Sequence, residues 1–191
     1  MATTQPIRNK QDVRALADYY LQKGQLRNYV LVILGVHTAL RISDLLRLTW
    51  DDVYDFKSKR ILLSISITEE KTRKHKTIAL NRAAKHALTA FADEAALRGH
   101  FLIENRRTKK AISRIQAYRL IRAAAEALHF QYPVSCHSLR KTFGYHAWKN
   151  GASPAVIMEI YNHSSFAVTR RYLGVTQDDK DAVYLSLRFT T

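Results

Sequence analysis

The residues best equipped for chemistry fall in four separated segments. Arg41 lies in Thr38-Ala-Leu-Arg-Ile-Ser-Asp-Leu-Leu-Arg-Leu-Thr-Trp50, just after an apolar stretch, so a helix starting there would hold its guanidinium rigidly at a surface pocket. Glu70-Lys-Thr-Arg-Lys-His-Lys-Thr-Ile-Ala-Leu80 is a lysine-rich turn offering Lys71, Lys74 and Lys76. His137 and Arg140 stand three apart in His137-Ser-Leu-Arg-Lys-Thr-Phe-Gly-Tyr-His-Ala-Trp148, on one face of a helix start. His163 and Tyr172 stand nine apart in Asn162-His-Ser-Ser-Phe-Ala-Val-Thr-Arg-Arg-Tyr-Leu173, bracketing a turn and a short helix. Guanidiniums bind anionic oxygens bidentately, and imidazoles and a phenol can move protons or attack. Taken singly, each segment is ordinary. Arg41 alone reads as a surface arginine paired with Asp44, His137 as a helix-cap residue, and Tyr172 as one of ten tyrosines.

Charge supplies the class of partner. The 191 residues carry 31 Lys and Arg against 16 Asp and Glu, a formal +15 with a pI near 10.1. That excess points to a polyanion, nucleic acid ahead of an anionic membrane surface. Residues 57–85 hold nine basic residues against two Glu, among them Lys57, Lys59, Arg60, Arg73, Lys74 and Lys76 on the turns. Residues 98–122 hold eight against one, including Arg106, Arg107, Lys109 and Lys110 on a loop and Arg114 and Arg119 on the helix after it. Two separated basic stretches suit a protein that wraps a duplex and neutralises its phosphates, rather than one that reads bases with a single helix. The bland alternative is a solvated cationic face. Membrane insertion is excluded on length: the longest apolar run, Tyr29 to Val36, is far short of the ~20 residues a span needs. A lone cysteine, Cys136, leaves no intramolecular disulfide and no multi-cysteine zinc site, and fits a reducing compartment.

The elements that must position these groups follow from periodicity and caps. A helix starts at an Asn9 cap and stops at Gly24, and residues 26–39 are apolar nearly all round, as a buried helix would be. A short helix, Arg41 to Leu48, follows. Val53–Phe56, Ile61–Ile67 and Thr77–Leu80 are β-branched and alternating, which predicts three antiparallel strands joined by basic turns. Ala84, Leu88, Phe91 and Ala95 repeat at helical spacing up to Gly99. Ser113 caps a helix with Ile115, Tyr118, Ile121, Ala125 and Leu128 as its apolar stripe. A helix over 137–149 ends at Gly151, Ser153-Pro154 starts another to Tyr161, and a short one surrounds Ala167 to Leu173. Val183, Leu185, Leu187 and Phe189 alternate as an extended segment with one apolar face would. The expectation is one domain over 1–191, mainly α with a small three-stranded antiparallel β-sheet. Residues 1–24 form a helical lead-in and 175–191 a tail.

Together the four segments resemble the catalytic domain of the tyrosine recombinases, the phage-integrase family, whose pattern is Arg…Lys…His-x-x-Arg…His/Trp…Tyr. The match runs from about residue 25 to 185. Its order, spacing and flanks (Leu-Arg-Ile-Ser-Asp-Leu, His-Ser-Leu-Arg-Lys-Thr-Phe, Thr-x-x-Tyr-Leu) make it specific where each motif alone is weak. The resemblance implies the DNA breaking-rejoining fold and a site-specific recombinase. Tyr172 would attack a DNA phosphodiester, leaving a 3′-phosphotyrosine and a free 5′-hydroxyl. Arg41 and Arg140 would bind the non-bridging oxygens, where charge builds, with a hydrogen bond from His163. Lys71 would protonate the leaving 5′-oxygen, with Lys74 and Lys76 in the same turn as the open alternatives. His137 would assist proton removal from Tyr172, a residue type whose free pKa is ~10. The phosphotyrosine conserves the bond energy, so neither ATP nor a metal nor another cofactor is implied. The implied partner is double-stranded DNA with short inverted repeats, bound by a homotetramer that is a monomer off DNA, each tail docking on a neighbour. The implied setting is cytoplasmic and nucleoid-associated, in a bacterium or phage.

Two departures leave the reacting groups intact: Tyr161-Asn162-His163 replaces the family's usual Leu-Gly-His, and Ile78-Ala79-Leu80 its Ile-Pro-Leu. Most members also carry a separate N-terminal DNA-binding domain, whereas about 25 residues precede the resemblance here. A short single-domain recombinase like the fimbrial phase-variation invertases and a piece of a larger integrase both fit. Two other functions share the fold. A type IB topoisomerase would relax supercoils without exchanging strands, and an accessory DNA-binding protein would have no use for Tyr172.

Overall fold

The helix that is apolar all round forms the centre of the fold. In the computed structural model, which describes residues 4–92 and 100–189, the elements run α1 (Lys10–Gln22), α2 (Leu26–His37), α3 (Ile42–Arg47), a 3-10 turn (Trp50–Asp52), β1 (Tyr54–Asp55), β2 (Arg60–Ile61), β3 (Ser64–Thr68), β4 (His75–Ala79), α4 (Arg82–Ala92), α5 (Arg114–Ala127), α6 (Cys136–Lys149), α7 (Pro154–Tyr161), α8 (Phe166–Leu173) and α9 (Gln177–Ser186). Residues 28 to 36 of α2 are buried without a break, because α1, α4 and α6 all pack around it. Gly35 lets α6 come close: a Cβ there would lie 2.6 Å from Leu139 Cδ1. The helix ends where Thr38 donates its hydroxyl to Leu34 O (2.6 Å) and Ala39 takes φ +57°, which turns the chain into α3 with Arg41 at its N-cap.

The β region keeps the expected meander order but not one continuous sheet. β1 pairs with β2 (Tyr54 opposite Ile61) and β3 with β4 (Ser64 opposite Ala79 through Thr68 opposite His75), giving two two-stranded antiparallel sheets. The middle strand breaks at Leu62–Leu63. Leu62 N still donates to Val53 O (2.8 Å), while Leu63 O accepts from Leu80 N (2.9 Å), so the backbone passes from one partner to the other. In α4, Ala84, Ala87, Leu88 and Phe91 are buried; the expected Ala95 and Gly99 lie outside the described residues.

Three expectations are corrected. In α5, capped by a reciprocal Ser113–Gln116 box, the buried face is Ala117, Ile121, Ala124 and Ala125, while Ile115 and Tyr118 are exposed. Small alanines make the seam, and the larger side chains at the helix start turn toward a cleft. The tail is helical rather than extended, because Thr176 and Asp179 form a capping box with Asp178 beside it, a strong start signal. Val183 and Leu185 therefore fall on α9 and Leu187 and Phe189 just beyond its end, and all four are exposed. Among the described residues of the lead-in, the helix starts at Lys10 behind its Asn9 cap. Before it, Thr4 to Arg8 form a strap along α6: Ile7 N donates to Thr142 Oγ1 (2.8 Å), Lys141 Nζ to Thr4 O (2.5 Å), and Ile7 is fully buried.

Candidate active site

Arg140 stands in the second turn of α6, 2% exposed, and donates to Ala39 O and to Tyr161 O (3.1 Å) with its guanidinium 4.5 Å over the Tyr161 ring. Tyr161 answers by donating its hydroxyl to Arg140 O at 2.6 Å. Arg41 reaches the same carbonyl of Tyr161 (3.5 Å) and pairs with Glu69 at 2.9 Å. The Tyr161 carbonyl thus aims two guanidiniums from different helices at one place; Glu69 offsets part of the charge of Arg41, while Arg140 has only neutral carbonyl partners among the described residues. Such a pair is built to receive an anion.

The imidazoles and the phenol close the other side. Tyr172 packs 4.6 Å from the His163 ring and 5.1 Å from the His137 ring, and Lys141 Nζ lies 5.5 Å over it. His163 stacks on Tyr161 at 4.9 Å and is oriented by Nδ1 against Thr169 Oγ1 at 3.0 Å. Asn162, at the end of α7, takes a left-handed conformation (φ +52°) that swings His163 back toward the arginines. Desolvation in the cleft, then the nearby cations Lys141, Arg140 and Arg41, push His137 down to about 4. Desolvation and the same two arginines bring His163 to about 4. Both rings are therefore neutral near pH 7, and a neutral ring nitrogen can accept a proton. Arg41, Lys71, His137, Arg140 and Tyr172 share one cleft of about 1200 Å³ with Arg114, Ile115 and Tyr118 of α5.

The lysine turn divides its work. Lys71 is exposed on the cleft rim and Lys74 is exposed on the turn. Lys76, expected among the exposed phosphate contacts, instead points inward: its Nζ donates to Ile160 O at 2.5 Å and lies 4.0 Å from Glu69. It alternates on β4 with exposed His75 and Thr77, which places it on the inner face. Burial, then the charges of Arg140 and Arg41 against that of Glu69, bring Lys76 to about 8. Glu69 itself was not singled out by the sequence. Burial alone would raise its carboxyl, but hydrogen bonds from Thr72, Asn162 and Arg41, with the charge of Arg41, hold it at about 2.

Lys57, Lys59, Arg60, Arg73, Arg106, Arg107, Lys109, Lys110, Arg114 and Arg119 are all exposed. Arg106, Arg107 and Arg119 also line a second basic cleft with Arg27, whose guanidinium is held by Asn28 Oδ1 and Glu104 O. Sequence reading missed Arg27 because it lies in an apolar helix. Burial pushes the Cys136 thiol up to about 11. Among the described residues, no cluster of His, Cys, Asp and Glu has the arrangement of a metal site, and no helix is long and apolar enough to cross a membrane.

Comparison with known proteins bears on family and fold. The family model described as "Phage integrase family" matches residues 8–178. Over 184 residues the chain is 38% identical to "Probable integrase/recombinase YoeC" of Bacillus subtilis (strain 168), covering 96% of this chain and 97% of that protein. It is 32% identical over 158 residues to the tyrosine recombinase XerD of Mycobacterium tuberculosis (strain ATCC 25618 / H37Rv), which covers 79% of this chain and 49% of XerD. The chain thus spans about half the length of that relative. Among solved structures, the XerH site-specific recombinase in its post-cleavage complex with palindromic difH substrate superposes with a TM-score of 0.77 at 16% identity, over 97% of this chain and 54% of that one, a likeness of fold.

Proposed function

The chain belongs to the phage integrase family, and from that premise we propose that it is a site-specific DNA recombinase working through a 3′-phosphotyrosine on Tyr172. The observation that carries this reading is the convergence of Tyr172 with two imidazoles and two carbonyl-held guanidiniums: Arg41, His137, Arg140 and Tyr172 line one cleft, and His163 packs against the Tyr172 ring. Arg41 and Arg140 bind the non-bridging oxygens of the scissile phosphate and meet the charge that grows on them as Tyr172 attacks. His137 takes the phenolic proton and His163 donates a hydrogen bond to the same oxygens. Lys71, on the rim, reaches the leaving 5′-oxygen and protonates it. The reverse sequence, attack by a new 5′-hydroxyl on the phosphotyrosine, restores the diester and frees Tyr172, so the chain needs no external energy source.

The partner is duplex DNA carrying short inverted repeats, matching the palindromic substrate of XerH. α5 forms a ridge between the catalytic cleft and the Arg27 cleft, and a helix is about as wide as the ~12 Å major groove, so the two clefts suit the backbones on either side of one groove. The whole of 1–191 acts as one catalytic domain. Its tail, with Val183, Tyr184, Leu185 and Leu187 exposed, docks on a neighbouring protomer within a tetramer on DNA.

The test is a suicide duplex, nicked beside the cleavage position and built from the inverted repeats that flank the gene. The wild-type chain is expected to give a gel-stable protein–DNA adduct and Tyr172→Phe none. An adduct of equal yield from Tyr172→Phe would reject the assignment. Relaxed circles without strand exchange from a supercoiled two-site plasmid would point to the topoisomerase reading instead.

A further inference from the structure

The cleft assembles Arg41, Arg140 and Lys76 before any anion arrives, and like charges packed this closely repel one another. Glu69 lies beneath them, fully buried, at the end of β3. Its Oε2 takes Arg41 Nη1 at 2.9 Å, Thr72 Oγ1 at 2.7 Å and Asn162 Nδ2 at 2.9 Å, and its Oε1 is 4.0 Å from Lys76 Nζ. The three partners of Oε2 belong to separate parts of the chain: the N-cap of α3, the turn that carries Lys71, and the residue immediately before His163.

We infer that Glu69 is a positioning residue, which with Asn162 as its second half ties Arg41, the lysine turn and the His163 turn into one geometry ahead of DNA binding. The inference rests on the recombinase reading of the cleft. A buried carboxylate is costly to desolvate and persists only where its partners are well placed, so this one is strongly committed to holding them. It does not touch the scissile phosphate itself, since two anions would repel; it acts through Arg41. Asn162 sits where a left-handed backbone favours glycine, the residue the related pattern carries there. Asparagine tolerates that conformation and adds an amide that glycine lacks, and this amide is the one donated to Glu69.

The variants are Glu69→Gln, which keeps the shape and removes the charge, and Asn162→Gly, which relieves the left-handed backbone while cutting the link. Single-turnover adduct formation on the nicked duplex is expected to slow by about 10- to 100-fold in Glu69→Gln, with duplex affinity changed by less than about 3-fold. Asn162→Gly should slow by about 5-fold, and the double variant by much less than the product of the two, because both cut the same tie. A methylphosphonate at the scissile position removes the charge that Arg41 meets, so on that substrate the Glu69→Gln defect should shrink toward none. An equal defect on both substrates marks a general structural loss and overturns the positioning role, as does a wild-type rate in Glu69→Gln. If Glu69→Gln fails to fold, Asn162→Gly carries the same substrate comparison.

A second arm needs no DNA. NMR titration of Lys76 in the free chain should show its midpoint moved down from about 8 in Glu69→Gln, since the carboxylate's charge supports the ammonium. An unmoved midpoint overturns the inference even where the wild-type adduct forms. A shifted midpoint with no wild-type adduct sustains the tie and defeats the recombinase reading alone.

Discussion

At the scale of single residues, the site is a set of cations and neutral rings held by backbone carbonyls, with one carboxylate beneath. The two histidines give it a definite pH signature. His137 and His163 sit at about 4 in the folded chain, against about 6.5 when unfolded. Between those values the unfolded chain binds protons that the folded chain does not, so stability rises with pH across that window and is lost as pH falls through it. Urea midpoints should therefore drop from pH 7 to pH 4.5, and less steeply in His137→Gln. Parallel pH slopes for the variant and the wild type would contradict the assigned protonation states. Arg41, His137, Arg140, His163 and Tyr172 were legible because each sits in a locally distinctive run of sequence. Glu69 was not, since in Thr68-Glu-Glu-Lys-Thr it looks like one more charged turn residue, and its burial depends on Arg41 and Asn162, 28 and 93 positions away. The inward face of Lys76 was hidden for the same reason: composition marks the turn as basic, but only strand pairing decides which lysine faces inward.

At the scale of elements, α6 and α7 must approach closely for Tyr161 to hold Arg140. Gly144 permits this: a Cβ there would come within 2.9 Å of Tyr161 Cε2 in a ring that is fully buried and hydrogen-bonded at its tip. Gly144→Ala should cost about 1–3 kcal/mol of stability by overpacking. It should also slow adduct formation, because displacing Tyr161 moves both its hydroxyl and the carbonyl shared by Arg41 and Arg140. Chemical denaturation alongside single-turnover cleavage checks both, and a variant with wild-type values in each would show that this approach is not needed. Helix caps at Asn9, Ser113 and Ser153 were readable from sequence because a cap is a local hydrogen bond. The face of α5 and the state of the tail were not. Ile115 and Tyr118 look like core by type, yet alanines make the tighter seam. In the tail, the two-residue alternation competed with the Thr176–Asp179 capping box upstream, and the helix that the cap starts runs on to Ser186.

At the scale of the whole molecule, charge and shape agree. The formal +15 is displayed on turns and on the ridge formed by α5, with basic clefts on both sides. α9 stands apart: the Lys149–Asp179 ion pair anchors its start, and beyond that it exposes Val183, Tyr184 and Leu185, with Leu187 exposed just after its end. Deleting residues 180–191 should weaken synapsis of two DNA sites while leaving the affinity for one duplex nearly unchanged. Normal synapsis after that deletion would remove the docking role. The order of helices and the helical class were legible at this scale; the Arg27 cleft was not, because it forms only when an arginine from α2 meets the 106–107 loop and α5. The central claim is that Tyr172 carries the DNA, and mapping the covalent bond tests it most directly. The adduct from the nicked duplex would be digested with protease and nuclease and the nucleotide-bearing peptide sequenced by mass spectrometry. A 3′-linked nucleotide on Tyr172 is the expected result; a nucleotide on Tyr161, Tyr184 or any other side chain, or a 5′ linkage, would contradict the account.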